Sequence, residues 1–275
     1  TMVEFLNRYV AIKKEATYGT VATGAITTWE HGEVDDESFA TKMDMLTRQD
    51  MSRAIVSKSV TGTEYSEGGI NMALQIDDFT GNVLAAFFPN TSYSSPTHTF
   101  LEPVLAAHTY DSYSFTVGRE DRELTYKGMV ANTLSVNANV GEYVMMSADF
   151  VGQREVVRTV KTAYSSGATS LILETGQGAG LHTEGTGFAD GNAFTWSGLT
   201  TDTLTVADIG VNVAAGTVVE INPQSVTFAG DAVDALYFSN GTVNFDDGTD
   251  DAPAASASVK TVDFQISLNP DTDNA

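Results

Sequence analysis

Four histidines (His31, His98, His108 and His182), one carboxylate run and several glycine clusters are where this chain could do chemistry. A protein zinc site needs three or four His, Cys or carboxylate ligands at a recognisable spacing. No His-x-x-x-His or His-Glu-x-x-His occurs, and there is no cysteine, so thiolate ligands, thiolate catalysis and disulfides are all ruled out. His98 and His108 therefore read as hydrogen-bonded structural residues. DDGTDD, between Asp246 and Asp251, offers the hard oxygen donors that Ca²⁺ prefers. It lacks the EF-hand spacing and a trailing Glu, so a solvated acidic loop is the stronger reading and no cofactor is expected. GQGAG and GTG, within residues 176–187, resemble a phosphate loop only superficially, because no Gly-Lys-Ser/Thr follows and no strand-to-helix context surrounds them. A flexible loop is expected there. No Gly-x-Ser-x-Gly elbow is present. NTS at Asn90 and NGT at Asn240 match the glycosylation acceptor pattern, without a secretion signal beside them. The expectation is a protein that is not an enzyme.

Charge narrows the class further. The 275 residues carry 36 Asp and Glu against 14 Lys and Arg, a net charge of -22. A surface of that sign repels nucleic acid, whose binding rests on neutralising phosphates with cations. It also resists self-association until salt screens it. Seven Lys against 21 Asp is a bias shared with proteins of salt-loving organisms, although a merely acidic protein would show it too. The chain is 42% hydrophobic, enough for a real core. No run of about 18 apolar residues occurs, so no membrane insertion is expected. The start, TMVEFLNRYVAIKKEATYGT, lacks the apolar centre of a signal peptide. Opening on Thr1 is expected where something upstream has been removed.

The elements that would position these residues are mostly strands. In VDFQISL, Val262, Phe264, Ile266 and Leu268 alternate with Asp263, Gln265 and Ser267, the period of a strand with one wet face. TLSVNANV and GEYVMMSADFVG repeat it around a tight turn at Gly141-Glu142. YDSYSFTV and ELTYKGMV flank GREDR as a second hairpin. One segment has helical period instead: Ile76, Phe79, Val83, Leu84, Phe87 and Phe88 share a face, with acidic Asp77 and Asp78 at its start and Pro89 at its stop. Phe79, Val83, Leu84 and Phe87 are its expected packing residues against a sheet. Residues 159–223 differ in texture, rich in Gly, Thr and Ala. The strand candidates TSLILE, FTWSG, DTLTV and GTVVEI lie there. We read a discontinuous host domain, 1–158 and 224–275, carrying a small inserted β domain at 159–223, of the kind a surface turn tolerates.

The order of these features resembles the tail tube proteins (major tail proteins) of long-tailed, non-contractile, siphovirus-like phages and archaeal viruses. KEATYGT and YKGMVANTLSVNANVGEYVMMSADFVG carry most of the likeness, which covers roughly residues 5–155 and 225–270 and leaves the insert outside. The resemblance implies a mainly β, sandwich or barrel-type fold with one flanking α-helix and a long inter-ring loop. It implies a virion protein that self-assembles into rings, commonly hexameric, stacked as a hollow tail tube through which DNA passes. Partners would be other copies, other tail proteins at the tube ends, and tape measure protein or DNA in the lumen without specific binding. Assembly would occur in the host cytoplasm. An acidic bore suits a conduit that must not hold DNA. A terminator or initiator ring protein of the same fold, and an acidic cell-surface β protein, are the alternatives.

That family's inter-ring loop corresponds to residues 33–55, EVDDESFATKMDMLTRQDMSRAI, which hold nine charges, three Met and no Gly or Pro. Phe39, Met43, Met45, Leu46, Met51 and Ile55 offer adaptable apolar contacts, and Lys42, Arg48 and Arg53 alternate with acids that could pair across a ring boundary. A short helix or an extended hairpin packed on its own subunit is the other reading. Arg8, Lys13 and Lys14 form the densest cationic cluster, either an N-terminal arm pairing with acidic neighbours or an ordinary solvated one.

Overall fold

The computed structural model describes residues 8–48, 58–88, 90–94, 97–101, 111–226, 234–239, 241–245, 255–259 and 261–267. Strands β1 (Tyr9–Lys14), β2 (Glu30–Gly32), β3 (Asp36–Glu37), β4 (Ala40–Arg48) and β5 (Lys58–Ala73) precede helix α1 (Asp78–Phe87). A short hairpin follows, β6 (Asn90–Ser94) and β7 (Thr97–Leu101). Next come β8 (Tyr113–Arg119), β9 (Arg122–Asn139), β10 (Glu142–Tyr143) and β11 (Met145–Gly152). Residues 159–223 contain β12 (Ser170–Ile172), β13 (Gly185–Ala189), β14 (Asn192–Thr200), β15 (Thr203–Val206) and β16 (Val219–Ile221). Strands β17 (Tyr237–Phe238), β18 (Gly241–Phe245), β19 (Ala255–Val259) and β20 (Thr261–Ser267) complete the set.

The main sheet runs β2-β1-β8-β9-β11-β5-β3, with β20 added to β9 and β4 to β5. It is antiparallel throughout and curls into a half-barrel. Strand β9 sets the curl. It carries an extra residue opposite β8, between Tyr126 and Met129, and another opposite β11, between Ala131 and Thr133. Such bulges bend a strand and increase its twist. Gly128 lies in the first of them at φ +64°, a conformation that favours glycine. The curl is tied by Arg119 of β8, whose guanidinium donates to both carboxylate oxygens of Glu37 on β3, each at 2.8 Å, and to the Phe39 carbonyl at 2.6 Å. The Tyr126 hydroxyl donates to the same carbonyl at 3.1 Å.

Inside the curl lies an aromatic core. Phe39, Phe115, Tyr126 and Phe150 meet with ring centroids 4.7–5.5 Å apart at their nearest pairings. Phe39 is only 1% exposed. It is thus a core residue and not a contact for another subunit: the Arg119 and Tyr126 bonds to its carbonyl draw this stretch of chain across the mouth of the half-barrel. Helix α1 covers the sheet beside β1, β2 and β9. Asp77 caps it by accepting from Thr80 N at 2.7 Å. Phe79, Val83 and Phe87 are buried and Leu84 packs partly buried against the same core. Ile76, expected on that face, is 73% exposed. It precedes the cap, where helical period no longer applies. Phe264, expected on a buried face of β20, is likewise exposed, since β20 is an edge strand beyond the reach of the core.

The segment 159–223 builds a second sheet, β12-β15-β14-β13-β16, around its own core of Leu171, Leu173, Phe194, Trp196, Leu204 and Ile221. Gly185 and Gly187, expected in a flexible loop, are in strand β13. The Trp196 ring occupies the space where a Gly185 side chain would go, and the Glu220 carbonyl that of Gly187, with the Phe194 ring close by. The chain enters and leaves side by side, with Val219 N donating to the Arg158 carbonyl at 2.9 Å.

Candidate assembly surface

Three quoted motifs meet at one buried carboxylate. Glu15, in KEATYGT, accepts from Gly19 N at 2.8 Å, Ser112 Oγ at 2.8 Å, Ser114 Oγ at 2.7 Å and Gly128 N at 2.8 Å. Gly128 belongs to YKGMV and packs against Gly19 and Gln153, the latter just beyond β11. Sequence order alone placed these segments in a series; the fold makes them one junction. It anchors β1 against β8 and β9.

Arg8, Lys13 and Lys14 are correspondingly less available than a free arm would be. Lys13 and Lys14 lie in β1, inside the sheet. Lys13 donates to Thr28 Oγ1 at 3.1 Å, Lys14 pairs with Asp111, and Arg8 pairs with Glu120 at 2.8 Å. Each finds its partner within the chain, Arg8 and Lys14 on acids and Lys13 on a threonine hydroxyl.

A polar layer lies between the main sheet and the inserted module. The Tyr9 hydroxyl donates to Glu123 and stands 3.1 Å from His182 Nε2, which is 3.4 Å from Glu123 Oε2. Burial, then the Glu123 charge, pushes the Tyr9 hydroxyl pKa up, so it stays a donor. Arg158 is fully buried, which lowers its pKa; it donates to Thr125 Oγ1 at 2.9 Å and to the Gln177 carbonyl at 3.1 Å. His31 lies next to Tyr9, and burial first, His182 second, pushes its pKa down to about 4. Ile26 N donates to the Leu181 carbonyl at 3.0 Å and Gly180 N to the Gly24 carbonyl at 3.1 Å. The module is thus seated on the main sheet, and this layer explains two of the histidines. A cleft of about 570 Å³ between β1, residues 32–37 and the 118–121 turn has acids at Glu33, Asp35, Asp36, Glu37, Glu120 and Asp121 and arginines at Arg8 and Arg119. No group of three or more His, Asp or Glu among the described residues is arranged to hold a metal. The DDGTDD run, His98's side chain and His108 lie outside what is described.

What remains is a projecting arm. Strand β5 pairs with β11 only from Ser66 to Ala73. Over residues 58–65 its one neighbour among the described residues is β4, with a register shift near Asp44 and Gly62. Residues 41–47 are all exposed. Met45 and Leu46 are each 66% exposed, with Met43 and Val60 also open to solvent. The expected long loop is therefore a β-hairpin. It read as a loop because no Gly or Pro turn marks it and the register shift breaks its alternation. Lys42 pairs with Glu67, and Arg154 with Glu64 at 3.1 Å, so its root is pinned to its own chain. Arg48 sits at the last described rung; Met51, Arg53 and Ile55 lie outside the described residues. A two-stranded ribbon with both faces in water is marginal by itself. An apolar set on such a ribbon is what an assembly contact requires.

Among the described residues no helix is long and apolar enough to cross a membrane. A family model described as phage tail tube protein matches residues 6–274, bounds that enclose residues 159–223 as well. No curated protein matches the chain.

Proposed function

The chain belongs to the phage tail tube protein family, and from that premise we propose that it is a structural, non-catalytic subunit that builds rings stacked into a hollow tail tube conducting DNA. Hexameric rings assembled in the host cytoplasm are the arrangement we favour, capped by other tail proteins and holding tape measure protein or DNA in the bore without specific binding. The observation that carries this reading is the β4–β5 arm: it exposes Met43, Met45, Leu46 and Val60 while its root is tied into its own sheet. In this reading the arm is the inter-ring contact. The charge of -22 supports a conduit that repels the duplex. The inserted module, with its own sheet and core, would sit on the tube exterior.

Replacing Met45→Asp together with Leu46→Asp tests the reading. Both side chains face solvent in the monomer, so folding should be unchanged, within about 0.5 kcal/mol for exposed sites. Tubes should fail to lengthen in electron micrographs. Rings of the double variant that stack as well as the parent would return the arm to a role within its own subunit.

A further inference from the structure

An open stack needs two different surfaces, one at each end of the subunit, that fit each other. The arm supplies only one. Following β5 the other way leads to its partner surface. At about 3.3 Å per residue, this 16-residue strand spans roughly 50 Å from Lys58 to Ala73. At the Ala73 end, Leu74 N donates to the Val144 carbonyl at 2.7 Å and Leu236 N to the Leu74 carbonyl at 2.8 Å. These bonds hold the β10–β17 ribbon there, with Tyr143 directly opposite Tyr237. The two rings meet edge to face with centroids 6.3 Å apart, yet they are 57% and 60% exposed. Met145 and Val140 are open beside them. Ile76, three residues beyond Ala73, is exposed as well.

We propose that this aromatic patch, centred on Tyr143 and Tyr237, is the seat for the arm of a second copy of the chain, receiving Leu46 and Val60, which share one face of the arm as a direct cross-strand pair. The inference rests on the stacked-tube reading above and names the acceptor that reading lacks. Three observations converge on a second copy as the occupant. Arm and patch lie at opposite ends of one strand, so their contact can repeat head to tail from copy to copy, as a stack requires. The exposed aliphatic side chains of Leu46 and Val60 match tyrosine faces on the patch. The charges are complementary: the last described rung of the arm pairs Arg48 with Lys58 in backbone register, in a chain with 14 basic residues against 36 acidic ones. Glu142 and Asp234 are exposed beside the patch, and no salt bridge among the described residues neutralises either. The exposure of Ile76 also gains a purpose, as part of the rim.

The chain has no cysteine, so single thiols can be placed without background. Full-length Leu46→Cys and Tyr237→Cys proteins are mixed, treated with a short bis-maleimide, and imaged in parallel. Val60→Cys with Tyr143→Cys is an independent second pair. All four sites are at the surface, so folding is preserved. The expected result is a mixed-pair product several-fold above that of either protein alone, recovered from tubes. Tubes without the mixed product overturn the acceptor and leave the tube reading standing. A dominant Leu46→Cys self-pair overturns it too, since it means arms meet arms. Cross-linked chains that never close into tubes keep the contact and remove the tube. Neither tubes nor product removes both.

Discussion

Glu15 shows how a single residue can organise a motif. Its carboxylate satisfies two backbone amides and two hydroxyls from three separate stretches of chain. Glu15→Ala leaves the Gly19 and Gly128 amides without that acceptor at a buried site. We expect a loss on the order of 3 kcal/mol, read as a lower melting temperature, with assembly lost in proportion; a melting point equal to the parent's would mean the junction is incidental. His31 makes a pH prediction. Its pKa lies near 4 in the fold against about 6.5 unfolded. Between those values the unfolded chain binds a proton that the native chain refuses, so stability falls as pH drops from about 6.5 toward 4 and levels off below. His31→Phe should flatten that part of the stability curve relative to the parent, and parallel curves would contradict the assignment. Neither role was legible from the sequence. Glu15 lay in a quoted motif, but its partners are distant in the chain, and nothing local distinguishes a buried His31 from a solvated one.

Elements were more legible where their signal is local. The α1 face, the β8–β9 hairpin and the Gly141-Glu142 turn follow from period and turn chemistry within a few residues, and the structure has all three. The arm is the opposite case. Its pairing partner begins at Lys58, past a stretch with no turn signature, so only the backbone hydrogen bonds identify it as a hairpin. Phe39 stands directly before β4 and by sequence proximity belongs with the arm, and only its burial against Phe115 and Tyr126 shows it facing inward. This separation has a measurable consequence. Met45→Asp with Leu46→Asp should leave the melting transition in place, whereas Phe39→Ala should cost about 3–5 kcal/mol, the range for an aromatic removed from a core. If the arm variant melted as early as the core variant, the arm would be part of the monomer's own fold.

At the scale of the whole molecule, two bodies share one chain. The module at 159–223 has its own sheet and core, enters and leaves at one point, and rests on the main sheet through Leu181, Gly180 and His182. Replacing residues 160–217 with a short linker would open the layer around Glu123 and Arg158 to water, which solvates those charges, and should leave ring stacking intact. Loss of stacking would place the module inside the assembly contacts. Its strands could be read from sequence; its seat could not, because that seat is made by backbone groups and buried polar side chains far apart in the chain, such as Gly24 with Gly180 and Tyr9 with His182. The same scale governs the effect of salt. Subunits of charge -22 repel one another, and the repulsion shortens to about 8 Å at physiological ionic strength and about 3 Å at 1 M. The most direct measurement is electron microscopy of the purified chain across a salt series: the account predicts hollow tubes of stacked rings that lengthen as salt rises, and a chain that stays monomeric at every salt concentration would contradict it.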